Sequence, residues 1–270
     1  MKDQVLWRLL VVTALVHLVF AIWPGVDIAV SRAFVQADGS FLLANSTFGE
    51  DIRMPIWLAS VAVAVAGAVM LCASLLRGRN AKTSWRLWAF VTALYVCGTG
   101  LLVNVLLKQN WGRARPVTIQ EFGGGKLFTP PFEIAGQCSS NCSFVSGEAA
   151  SAAAMAIVIA VCFGRALPKP WRGAVYGLVA AIYVLASGMR VAAGRHFLSD
   201  VVFAGLFMLI LARLFYQVFG VSRHHSEGLP KAMFADLFGW MAPQRFVENQ
   251  SRAISSSRAK AASDPAVGKV

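Results

Sequence analysis

Met54-Pro-Ile-Trp-Leu-Ala-Ser-Val-Ala-Val-Ala-Val-Ala-Gly-Ala-Val-Met-Leu-Cys-Ala-Ser-Leu-Leu76 contains no charged residue. Wound as a helix, these 23 residues rise about 34 Å, enough to cross about 30 Å of hydrocarbon. Five more apolar runs of comparable length flank it, near 5–23, 87–107, 149–166, 173–190 and 199–219. The fourth and fifth runs in chain order are rich in Ala and Gly, which suits helices packed closely inside a bundle. Of the 270 residues, 57% are hydrophobic and only 14% charged. So apolar a chain leaves too little polar surface for a soluble domain. The expected fold is an all-α polytopic membrane bundle of six transmembrane helices over residues 1–220, followed by a cytoplasmic basic tail, 221–270. Within that tail, 229–241 reads as a short amphipathic helix on the membrane surface, and the Ser-, Ala- and Lys/Arg-rich end as disordered.

The first run begins after Lys2 and contains Arg8, as a signal peptide's might. No small-x-small cleavage site follows, and Trp23-Pro24 suits an interfacial anchor, so a retained helix is expected. The loop 77–86 carries Arg77, Arg79, Lys82 and Arg86 without an acid, and 165–172 carries Arg165, Lys169 and Arg172 without one. Loop 24–53 sets Asp27, Asp38, Glu50 and Asp51 against Arg32 and Arg53. Basic short loops face the cytoplasm. Both termini are then cytoplasmic, and loops 24–53, 108–147 and 191–198 lie outside. The net charge of +12 is spread over loops and tail with no aromatic-interleaved patch. Topology and anionic lipids account for it better than a nucleic-acid partner. The sequence leaves the oligomeric state open.

Three stretches on the outer side carry chemistry: Lys108-Gln-Asn-Trp-Gly-Arg-Ala-Arg-Pro116, Ser143-Phe-Val-Ser-Gly-Glu148 and Arg190-Val-Ala-Ala-Gly-Arg-His-Phe-Leu-Ser-Asp200. Lys108, Arg115 and Arg190 are cations at or near helix ends, where each alone reads as snorkelling. An Arg binds two phosphate oxygens at once and a Lys acts as a point charge. Ser146 suits a helix N-cap, after which the amides at Gly147 and Glu148 face out of a helix N-terminus and attract an anion. His196 and Asp200 are four residues apart on one helical face. Asp200 accepts a hydrogen bond from one ring nitrogen in this reading, leaving the other free to attack. Cys72, Cys97 and Cys162 lie in apolar runs and read as small hydrophobes. Cys138 and Cys142 form a disulfide if their side is oxidising, or stay free thiols; two Cys without further ligands make a poor zinc site.

Taken together, the three stretches resemble the type 2 phosphatidic acid phosphatase superfamily, whose pattern is Lys-x6-Arg-Pro, Pro-Ser-Gly-His and Ser-Arg-x5-His-x3-Asp. Lys108, Arg115 and Pro116 match the first block, Ser146 and Gly147 the middle of the second, and Arg190, His196 and Asp200 the third. The resemblance implies a phosphatase needing neither cofactor nor metal, working through a phosphohistidine on His196. It implies that Asp200 orients that ring and that Lys108, Arg115, Arg190, Ser146 and Gly147 hold the phosphate. Glu148 stands where the family has the His that protonates the leaving group. A carboxyl there serves as an acid only when protonated, which a neighbouring phosphate favours. Val145 and Met189 replace the family's Pro and Ser, the latter removing a phosphate hydrogen bond. The Cys-Ser-Phe-Val-Ser-Gly-Glu stretch is similar to a bacterial subgroup associated with lipid A phosphatases. The favoured reading is therefore a lipid phosphate phosphatase of the bacterial inner membrane, acting on lipid A at the periplasmic face. Undecaprenyl diphosphate and phosphatidylglycerophosphate are competing substrates. A non-catalytic lipid-phosphate-binding membrane protein is the alternative of another class.

Overall fold

The computed structural model describes residues 3–77, 85–164 and 167–221. Arg79, Lys82, Arg165 and all of the tail after Val221, including the expected helix over 229–241, lie outside the described residues. Seven helices carry the architecture: α1 (Gln4–Ile22), α2 (Gly25–Arg32), α3 (Thr47–Arg77), α4 (Trp85–Asn110), α5 (Gly147–Phe163), α6 (Lys169–Ala192) and α7 (Leu198–Val218). The middle of α4, Leu94–Leu107, is wound as a π-helix. No strand forms among the described residues; only the isolated bridges Val35–Phe41 and Ile119–Lys126 pair extended backbone.

Five helices, α1, α3, α4, α6 and α7, are long and apolar enough to cross a membrane. The fourth expected span is shorter: α5 has 17 residues and rises about 25 Å. Its run begins with small residues, and Ala149, Ala150, Ala152, Ala153 and Ala154 are all buried. Their small size lets α3, α4, α6 and α7 pack around it, so α5 is the central post of the bundle. Outward faces are apolar instead of polar. Leu15, Val65, Leu178 and Val184 are each more than half exposed, which suits a hydrocarbon surround.

Two departures from the apolar runs matter for function. Helix α3 starts at Thr47, two turns before the run at Met54, and continues through Pro55. Charged Glu50, Asp51 and Arg53 hide this extension from a hydropathy reading, yet it lifts Arg53 to the end of the bundle where Glu148 opens α5. Between α1 and α3, the short α2 folds back over the entry to α7.

Candidate active site

All three motif stretches meet at one end of the bundle, and backbone hydrogen bonds fasten them together. The amide of Cys142 donates to the carbonyl of Lys108 (3.1 Å), that of Ser143 to Arg113 (2.9 Å) and that of Ser146 to Asp200 (3.3 Å). The α6–α7 turn is wound tightly, with the amides of Arg195 and His196 both donating to the carbonyl of Arg190 (3.1 and 3.3 Å). Gly194 makes this possible. Its φ is +63°, and a Cβ there would also collide with the ring of Phe41.

His196 is buried, with 2% of its surface exposed. Its Nδ1 lies 2.8 Å from the carbonyl oxygen of Ser143. A carbonyl only accepts, so Nδ1 carries the proton and Nε2 keeps its lone pair. The expected hydrogen bond to Asp200 is not what fixes the ring: Asp200 Oδ2 is 3.7 Å from Nδ1, close enough for attraction between charges but too far for a hydrogen bond. The reason is that the Asp200 oxygens are already engaged. Oδ1 accepts from Arg113 Nη1 (2.6 Å), while Oδ2 accepts from the Ser143 hydroxyl and from the Phe197 amide (2.9 Å). Burial pulls His196 down to about 4, against the opposing pull of Asp200, so the ring is neutral at neutral pH.

Arg113 is the residue that the sequence reading missed. It is fully buried and forks to two carboxylates, Asp200 and Asp27 Oδ2 (2.7 Å), while Nε donates to the Thr129 carbonyl (2.8 Å). Its guanidinium lies 4.3 Å from the centroid of the Phe197 ring. Asp27, from α2, also accepts from the Ser199 amide (2.8 Å) and hydroxyl. Burial raises the Asp27 carboxyl above its ordinary value, and Arg113 opposes that rise. No local signal separates Arg113 from Arg115 two residues on; only the fold sends one inward and the other outward.

The cations expected to hold phosphate are fixed by the surrounding loops. Lys108 Nζ donates to Asn141 Oδ1 (2.9 Å), and Arg115 Nη2 donates to the Asn141 carbonyl (2.7 Å). Partial burial lowers Arg115, which nonetheless stays cationic. The Nε of Arg190 is buried without a protein partner. Ser146 caps α5 by accepting from the Ala149 amide (3.3 Å). Gly147 packs so closely on Asn104 that a Cβ would sit 2.7 Å from its Oδ1. The first amides of α5 therefore face the cluster without intrahelical acceptors. Glu148 accepts from Arg53 Nη1 (3.2 Å) and lies 3.5 Å from Arg190 Nη1. Arg53 is itself clamped by Glu50, with Nη2 to Oε2 at 2.6 Å. In the outer loop Cys138 pairs with Cys142, their Cα atoms 5.7 Å apart. Cys97 and Cys162 are partly and fully buried, while Cys72 is exposed on the apolar outer face.

An imidazole whose Nε2 keeps its lone pair, backed by buried carboxylates, shares one end of the bundle with the cations Lys108, Arg115 and Arg190, a cluster whose field favours an anion. The pattern of the PAP2 superfamily matches residues 87–223, and the chain belongs to that superfamily. It is an integral-membrane lipid phosphatase, a phosphoric monoester hydrolase. Its relatives include a lipid A 4'-phosphatase of Rhizobium etli, 36% identical over 214 residues, covering 72% of this chain and 79% of that one. Lipid A 4'-phosphatases of Rhizobium leguminosarum and Francisella tularensis subsp. novicida are 44% and 37% identical over 132 and 134 residues. These stretches are 49% and 48% of this chain, and the chain spans just over half of each relative, 54% and 56%. A solved PAP2-type phosphatidylglycerolphosphate phosphatase of Bacillus subtilis is similar with a TM-score of 0.49 at 21% identity, over 80% of this chain and 96% of that one.

Proposed function

We propose that this chain removes a phosphate from the saccharide of lipid A, at the periplasmic face of a bacterial inner membrane, through a phosphohistidine on His196. The observation that carries the chemistry is the hydrogen bond from His196 Nδ1 to the Ser143 carbonyl, which leaves Nε2 as a lone-pair nucleophile beside the cations. The names of the three relatives support the substrate. The basic short loops support an outward-facing site with both termini cytoplasmic.

Nε2 attacks phosphorus, the bond from phosphorus to the sugar oxygen breaks, and the alcohol leaves with a proton. The ring, now phosphorylated on Nε2 and protonated on Nδ1, is positive, and Asp200 at 3.7 Å stabilises that charge. Lys108, Arg115, Arg190, Ser146 and the Gly147 amide hold the phosphoryl oxygens. Water then attacks phosphorus, its proton passing through the Glu148 carboxylate to the departing phosphate, the bond from phosphorus to Nε2 breaks and the ring returns to neutral. Glu148 is paired with two guanidiniums. Phosphate draws Arg190 to itself, and Glu148 relays a proton from the bound phosphate monoester to the leaving oxygen.

Glu148→Gln keeps the shape but has no acidic proton, so kcat on lipid A falls by roughly 10²–10⁴-fold, and by much less on an aryl phosphate whose leaving group needs no protonation. Normal turnover of Glu148→Gln on both substrates from pH 5 to 9 excludes the acid role. Three cations already neutralise the phosphoryl charge and repel a metal ion. Phosphate release is accordingly expected to be unchanged by EDTA; inhibition reversed by Mg²⁺ contradicts this. The experiment that tests the substrate is phosphate release by the purified chain from lipid A, undecaprenyl diphosphate and phosphatidylglycerophosphate. Release from lipid A at a kcat/KM no higher than from the others overturns the substrate, and release from none overturns the catalytic reading.

A further inference from the structure

Beside the phosphate site the outer loops enclose a second, polar cleft of about 840 Å³ including its open mouth. Arg115 and Thr118 form one wall, Lys126 another, and the disulfide loop from Gln137 to Asn141 the third. Two cations line it and no carboxylate does, so its field favours an anion. Arg115 also belongs to the phosphate cluster, which makes the two sites contiguous. The ammonium of Lys126 is exposed and engages no protein partner among the described residues. Hydroxyl and amide groups of Thr118, Gln137, Ser139, Ser140 and Asn141 supply the rest of the lining.

The cleft is built, not a gap between loose loops. The amide of Lys126 donates to the Thr118 carbonyl (2.9 Å) and that of Gln120 to the Lys126 carbonyl (2.9 Å), closing the intervening loop. The Leu127 amide donates to Gln137 Oε1 (3.0 Å), tying that loop to the disulfide segment and leaving the Gln137 amide NH₂ to donate. Beneath them Ala114 and Ile119 pack on Phe197, the neighbour of the nucleophile. The walls thus rest on the residue next to His196.

We propose that this cleft is a second anion subsite, which receives a saccharide head group carrying a phosphate other than the one being removed. The proposal rests on the phosphatase reading above, and it gives that reading a selectivity. The scissile phosphate lies on Lys108, Arg115 and Arg190, the sugar hydroxyls meet the hydroxyl and amide lining, and the second phosphate meets Lys126. A bis-phosphorylated head group is thereby preferred over a mono-phosphorylated one through binding, not through the chemical step.

The test compares Lys126→Ala and Lys126→Glu with the unmodified full-length chain in vesicles, on bis-phosphorylated lipid A and on its 4'-monophosphorylated form. Lys126→Glu is expected to raise KM for the bis-phosphorylated lipid roughly tenfold, at unchanged kcat, with little change on the monophosphorylated one. An equal effect on both lipids, or none on either, overturns the subsite. Binding of the same two lipids to His196→Ala protein, with and without Lys126→Glu, reads the cleft independently of turnover. Discrimination lost with Lys126→Glu there, alongside no phosphate release by the unmodified chain, keeps the subsite and rejects the catalytic reading. No discrimination in binding rejects the subsite even if phosphate is released.

Discussion

Alanine at His196 ends phosphate release: the expected fall in turnover is about 10³-fold or more, because nothing else in the site offers a nucleophile to phosphorus. The substitution removes the hydrogen bond to the Ser143 carbonyl, but Ser143 stays held through its amide on Arg113 and its hydroxyl on Asp200, so expression and membrane insertion should survive. Retention of more than a few per cent of turnover by the purified variant rejects the covalent route. The same ring sets the acid limit of activity. Burial holds His196 at about 4, so Nε2 carries its lone pair at neutral pH and loses it as pH falls through that value. An unfolded chain titrates its histidines near 6.5, so between about 4 and 6.5 the unfolded state binds more protons than the folded one. Folding stability therefore rises with pH across that window. Melting temperatures taken from pH 4 to 7, with and without His196→Ala, measure this contribution.

Arg113→Met is expected to cost about 3–5 kcal/mol of stability and to abolish activity with it, because two buried carboxylates lose their shared counter-charge. Asp27 would keep only Ser199, and Asp200 only Ser143 and the Phe197 amide. Arg113→Lys restores the charge but not the fork that reaches Asp27, Asp200 and Thr129 together, so it should recover only part. Thermal unfolding in detergent, read beside phosphate release, checks both variants. A melting temperature and turnover unchanged by Arg113→Met would show that the buried triad does not hold the nucleophile in place.

That triad also explains the long reach of the site along the chain. Asp27 belongs to α2, outside the motif stretches, and Arg53 to a helical extension hidden by its own charges. Both sit at the same end of the bundle as the motifs because α2 folds onto the start of α7 and α3 begins two turns early. Glu50 holds Arg53, Arg53 holds Glu148, and Glu148 neighbours Arg190. A residue in the first fifth of the chain is thereby joined to the C-terminal end of α6.

The apolar runs determined the helical bundle, since an uncharged stretch of over 20 residues has one stable way to satisfy its backbone in hydrocarbon. Residue type and spacing also picked out residues that converge at one end of the bundle: cations at Lys108, Arg115 and Arg190, a cap at Ser146, and a His and Asp on one face. What they could not determine was the wiring. Helical spacing brings His196 and Asp200 near each other, but whether they hydrogen-bond depends on what else competes for the carboxylate. Arg113, Ser143 and the Phe197 amide take its oxygens, and the Ser143 carbonyl takes Nδ1 instead. The Phe197 amide is local, but Arg113 and Ser143 lie 87 and 57 residues before Asp200 in the chain. Their encounter is a property of how the helix ends converge, and no local pattern carries that information.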